Sequence, residues 1–123
     1  ATLTGQYSYL EKADRLFEGA LPLAAGNLFG HVSLLSALDT RLRHTEIVIA
    51  GPDAGEFVSQ AIPAAILTST VLRVRDGSAL PENHPAREKI AAAKEQATAF
   101  VCRGATCSLP ITDPAKLYEA IYA

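Results

Sequence analysis

The chain has 123 residues, 49% of them hydrophobic and 20% charged, with a formal net charge of −2. That length suits a single domain burying roughly two-thirds of the surface its unfolded form exposes, and the composition excludes the disordered and collagen-like classes. The slight acidity gives no general attraction to nucleic-acid phosphates or anionic lipid, no apolar run approaches the roughly 18 residues of a membrane helix, and two cysteines are too few for a disulfide scaffold. Nucleic-acid and membrane partners are therefore not expected. The chain holds no Met, even at position 1, so a processed protein or a piece of a longer one is expected.

Residues 1–44 read as a helical hairpin. Ser8 and Glu11 have the spacing of a capping box, and Tyr9, Leu10, Ala13, Leu16, Phe17 and Ala20 recur at helical spacing. Glu11, Lys12, Asp14, Arg15 and Glu18 fall on the other side. Gly19, Pro22 and Gly26 punctuate this helix, Asn27 can cap the next, and Leu28, Phe29, Val32, Leu35 and Leu38 form a second apolar stripe. The two stripes, between Ser8 and Leu42, are wider than one sheet face covers. A homo-oligomer of the isolated chain is expected from such a surface.

From Thr45 the pattern changes to short apolar runs alternating with helical stretches. "TEIVIAGP" is β-branched, brief and stopped by Gly51-Pro52, which suits a strand buried on both faces. Asp53 and Glu56 form another capping-box pattern, opening a helix whose buried side is Phe57, Val58, Ala61 and Ile62, interrupted at Pro63. "TVLRVRD" reads as a second strand ended by Asp76-Gly77. Strand, helix and strand in this order favour a parallel crossover. "LPENHPAREKIAAAK", Leu80 to Lys94, reads as a loop and then a helix, with Pro85 at its first position and Asn83 or His84 as cap. "TAFVCR" is a third strand, "CSLPI" a short antiparallel return, and Asp113-Pro114 starts a last helix carrying Leu117, Ala120 and Ile121. The expected fold is α/β: an αα-hairpin packed beside a small, mainly parallel sheet of three or four strands with flanking helices. Residues 1–123 form one domain, with 45–123 as its α/β part.

No self-sufficient catalytic constellation is present. Cys102 and Cys107 flank "RGAT", where a strand turns, and cross-strand partners there would have Cβ atoms roughly 4.5–5.5 Å apart. A disulfide fits that spacing, while a reducing cytosol would keep the thiols free, so the pair reads as structural thiols or a non-catalytic disulfide. Zinc would need two further ligands, and His31, His44 and His84 stand singly without ligand spacing. "AGPDAGEF" joins a strand to a helix N-terminus, the place where nucleotide folds hold phosphate, but Gly51 and Gly55 lack the fingerprint spacing and Asp53 would set a carboxylate there. His84 has no identifiable nucleophile or partnered carboxylate near it in sequence and reads as a helix cap or an exposed histidine; His31 reads as a core or interface residue. No catalytic residue, cofactor or metal is expected.

The order "TG-Q-Y", "KA", "LF", then "LLSALD", "EIVIAGP" and "TAFVCRGATCSLPITDP" resembles the C-terminal end of the bacterial thioredoxin-domain proteins related to spermatogenesis-associated protein, a family of unknown function. The resemblance spans nearly the whole chain, and its most specific element is the Cys-x4-Cys-x2-Pro-x-Thr-Asp-Pro run from Cys102 to Pro114. It implies a parent with an N-terminal thioredoxin-like domain and an α/α toroid similar to those of glycosidases and sugar epimerases; a cytoplasmic location is expected. This chain would be the last piece, a structural or docking module whose partners are the upstream toroid and thioredoxin-like domain. The family's redox Cys-x-x-Cys and the carboxylates of a toroid active site are absent, so no catalytic residue is carried over. Two alternatives stand beside this reading. In one, the chain is part of a carbohydrate-active enzyme and the Leu80 to Pro85 loop reaches into the parent's pocket. In the other, Cys102 and Cys107 exchange disulfides with the thioredoxin-like domain.

Overall fold

A computed structural model of the chain describes residues 1–93 and 96–123. Two helices come first, α1 (Ser8–Ala25) and α2 (Val32–Arg43), joined through a 3-10 turn at Phe29–His31. The α/β part follows: β1 (Thr45–Ala50), α3 (Gly55–Ala64), β2 (Ser69–Val74), a 3-10 turn at Gly77–Ala79, α4 (Arg87–Ala92), β3 (Thr98–Arg103), β4 (Thr106–Cys107), and a 3-10 turn at Pro114–Lys116 leading into α5 (Leu117–Tyr122). The expected extension of α4 to Lys94 lies outside the described residues.

The four strands form one sheet in the order β2-β1-β3-β4. Every residue of β1 is buried, because the strand is interior and both faces of the sheet are covered. On one face Ile47, Ile49, Ala99 and Val101 pack against Phe57 and Ala61 of α3 and Leu117 and Ile121 of α5. On the other, Val48, Ala50, Phe100 and Cys102 pack against Leu80, Ala86 and Ile90 of the segment joining β2 to β3. The Tyr122 hydroxyl donates to the Ala64 carbonyl at 2.9 Å and ties α5 to α3.

The sheet is mixed, whereas the sequence reading expected it to be mainly parallel. β1 and β2 are parallel, but β3 runs antiparallel to β1, with Ala50 opposite Thr98 and Glu46 opposite Cys102. The reason lies in the segment after β2. It leaves the carboxyl end of β2, descends until His84 meets Glu46 near the start of β1, and returns through α4 to the end it left. An even number of passes delivers the chain to the carboxyl end of β1, so β3 must run back down. Cys102 and Cys107 then pair across β3 and β4, and Ala99 bridges Ile111 beyond them.

Three local expectations need correction. Tyr7 occupies the cap position of α1 and Ser8 already lies inside the helix, so the Ser8–Glu11 capping box does not form. That helix also runs through Gly19 and Pro22; the proline falls in its last turn, where a single missing N–H removes one bond near the end. Asp53 does not cap α3. It takes a left-handed φ of 51°, which Asp tolerates, and the helix starts two residues later with Ala54 at the cap. Other local signals act where expected. Asn27 Oδ1 accepts from the Gly30 N–H at 3.0 Å, and Asp113 Oδ1 accepts from the Ala115 N–H at 3.0 Å, with Pro114 at the first helical position.

Candidate functional site

The most polar part of the interior lies at the start of β1. Glu46 stands opposite Thr70 of β2 and Cys102 of β3, which places the three side chains on one face of the sheet. Over that face comes His84, whose Nε2 lies 3.0 Å from Glu46 Oε2, with side-chain exposures of only 5% for His84 and 9% for Glu46. The Ala86 N–H donates to His84 Nδ1 at 3.1 Å, so the ring proton sits on Nε2 and is donated to the carboxylate. Glu46 Oε1 has no hydrogen-bond partner among the described residues. Nearby, His44 Nε2 lies 2.9 Å from the Thr70 hydroxyl.

This arrangement fastens the descending segment to the sheet. A carboxylate that orients an imidazole is half of a proton-transfer device, but such a device needs its second ring nitrogen facing a reacting group. Here that nitrogen is taken by the chain's own backbone and is buried. Leu80 is buried in one cluster with Phe100 and Val48, which fixes the start of the Leu80 to Pro85 loop on its own sheet, while Glu82 and Asn83 of that loop are exposed. His84 is neither an exposed residue nor a side chain at the cap position of α4, which Ala86 holds. A carboxylate inside the otherwise apolar "TEIVIA" is the sequence signal for such a partner, because a strand buried on both faces cannot leave a charge unanswered. The partner lies 38 residues away in sequence.

Cys102 and Cys107 face each other across a two-residue turn at Gly104 and Ala105, with Arg103 opposite Thr106, and their sulfurs are joined as a disulfide. Gly104 supplies the left-handed φ of 60° that the turn requires. Cys102 is buried in the core beside Phe100, whereas Cys107 is half-buried. Closing so short a ring contributes about 2 kcal/mol on the chain-entropy estimate. Lys89 Nζ donates to the carbonyls of Cys107 and Ser108, at 2.9 and 3.1 Å, and so fastens α4 to the hairpin end.

The other singled-out residues do not converge on this place. His31 Nδ1 donates to the Asn27 carbonyl at 2.8 Å, within the turn between α1 and α2. Gly51 adopts φ 98°, and a Cβ there would come within 2.7 Å of the Gln96 carbonyl oxygen, so glycine serves a close backbone crossing at the entry to β3. Among the described residues no group of three His, Cys, Asp or Glu side chains could hold a metal ion, and no helix is long and apolar enough to cross a membrane.

No protein-family model matches the chain, and no solved structure matches it. Over 97 residues, 74% of its length, it is 32% identical to spermatogenesis-associated protein 20 of Homo sapiens, and it spans 12% of that protein. The similarity is distant and partial, and it relates this chain to a segment of a much longer polypeptide.

Proposed function

We propose that the chain is a structural and docking module: the α/β part is a self-contained platform, and the helical hairpin is the surface through which it joins a larger helical body. The observation that carries this reading is the unequal burial of the two parts. Ala24 is the one buried residue of α1, and α2 has none. Leu16 and Leu23, seven residues apart and so on one stripe of α1, are 71% and 72% exposed, and Phe29 at the hairpin tip is 94% exposed. Apolar surface of this kind on a folded module marks an interaction site. The partner in this reading is the helical toroid and thioredoxin-like domain of a longer protein; the small share of the human relative that the similarity spans supports a longer parent chain. The module finishes that body or presents a wall of it, without chemistry of its own.

Sedimentation velocity tests this. Without its partner the 123-residue chain should self-associate reversibly as concentration rises, and Leu16→Ser with Phe29→Ser should return it to a monomer. A strict monomer at high concentration, or association untouched by both changes, would overturn the docking role.

A further inference from the structure

The carboxyl ends of β1 and β2 frame a feature that the docking role does not use. These strands are adjacent and parallel, yet the chain leaves them toward opposite faces of the sheet. From β1 it passes to α3, over the face that carries Ile47 and Ile49; from β2 it passes to the Gly77–Ala92 segment, over the face that carries Val48 and Ala50. When neighbouring parallel strands send their connections to opposite sides, neither connection covers the notch between their ends, and α/β proteins bind ligands in such notches. In this molecule the notch is a crevice of about 310 Å³, between the Ala50–Pro52 and Arg75–Ser78 ends and one side of α4.

Its lining specifies a ligand chemistry. Among the described residues that line it are two arginines, Arg75 and Arg87, and one acid, Asp76. Arg87 donates one N–H to the Leu80 carbonyl at 3.0 Å, which holds the guanidinium in place and leaves four of its donors without a partner among the described residues. The Asp76 carboxylate is engaged by its own turn, Oδ1 accepting from the Ser78 N–H at 2.8 Å and from the Ser78 hydroxyl. Among the described lining residues the balance is one positive charge in excess, and the guanidinium is the group that matches carboxylate and phosphate geometry. Apolar lining comes from Pro52 and from Ile90 and Ala91, which share the helix face of Arg87. The volume lies at the small end for ligand pockets, too small for a dinucleotide.

We propose that this crevice binds a small organic oxyanion, a carboxylate or phosphate monoester with a short apolar body, its head group between Arg75 and Arg87 and its body against Ile90 and Ala91. The site is independent of the hairpin surface, so it can stand or fall without the docking reading.

The test is a titration followed by backbone amide NMR on the 123-residue chain, with inorganic phosphate and with butyrate as probes and chloride as the ionic-strength control. Saturable shifts at Gly77, Ser78 and Ala91 are expected with at least one probe and none with chloride. Arg75→Gln, at an exposed position, should weaken that binding about tenfold, in line with the loss of a charge-assisted hydrogen bond. Unmoved resonances of Val48 and Phe100 would show that the variant is folded. Ala91→Phe, which fills the apolar side, should abolish butyrate binding while sparing phosphate. Response to phosphate alone assigns a phosphate head group, and response to butyrate alone a carboxylate; either supports the site. Shifts that fail to saturate, match those from chloride or persist unchanged in Arg75→Gln overturn it.

Discussion

The two parts of this molecule, the helical hairpin of residues 1–44 and the α/β part of residues 45–123, are built from similarly apolar sequence but use it differently. In the α/β part the apolar residues sit on two faces of one sheet, and each face has its own cover, so Ile47, Val48, Ile49 and Phe100 are wholly removed from water. In the hairpin the same residue types lie on helices that touch little beyond each other, and Leu16, Leu23, Phe29 and Leu42 remain largely exposed. Amphipathic spacing makes a helix, but a core requires a second surface for the apolar stripe to face. The difference between the parts lies in how much of each apolar surface the chain itself covers.

The largest test of that contrast compares two phenylalanines. Phe100 is fully buried, and Phe100→Ala should cost about 3–5 kcal/mol in urea unfolding, through lost transfer energy and the cavity left behind. Phe29 is 94% exposed, and Phe29→Ala should change stability by no more than about 0.5 kcal/mol. Comparable losses at the two positions would mean that the hairpin belongs to the cooperative core, and the contrast would be wrong.

How far the sequence could anticipate this arrangement depended on the range of the forces involved. "TEIVIA" and "TAFVCR" mark β1 and β3 residue for residue, because a short β-branched run bounded by turn residues or a polar end has few other uses. Asp113-Pro114 and the Gly104 turn were legible for the same local reason. The direction of β3 was not. It depends on how many times the Gly77–Ala92 segment crosses the sheet, which no window of sequence contains. The capping patterns at Ser8 and Asp53 misled because a cap needs a backbone conformation as well as a residue type, and the turn at Gly51 to Asp53 adopts a different one. The Glu46–His84 contact was not anticipated: the carboxylate within a buried strand is a local signal that went unread, and its partner lies 38 residues away. The crevice between β1 and β2 became visible only once both crossovers were placed.

That contact provides the next largest effect. His84→Leu leaves the Glu46 carboxylate buried without its donor, and removing one member of such a pair should cost about 3 kcal/mol or more. Replacing both, with Glu46→Met and His84→Leu, removes the orphaned charge as well and should return stability to within about 1 kcal/mol of the parent chain. Unfolding curves for the two single variants and the double variant decide it. If the double variant is as unstable as the sum of the singles, the pair is not the isolated clamp described above, and its neighbours Thr70 and His44 must share the load.

The smallest effect belongs to the hairpin's one cross-helix clasp. Arg41 donates from Nε and Nη2 to the two carboxylate oxygens of Asp14, each at 2.9 Å, and joins α2 to α1. Both side chains are substantially exposed, 33% for Arg41 and 48% for Asp14, so water and salt compete for them. A double-mutant cycle with Arg41→Gln and Asp14→Asn should give a coupling of about 1 kcal/mol or less, falling as salt is raised. The hydrogen bonds to Asp14 raise the Arg41 pKa above its ordinary value. A raised cationic pKa contributes stability that is fully present below the unfolded value and is lost only as pH rises through the folded one, so alkaline titration short of the guanidinium range should leave the coupling unchanged. A coupling of several kcal/mol that resists salt would show that the hairpin shields its own charges as a packed domain does. In that case its exposed leucines would need a different explanation from an absent partner.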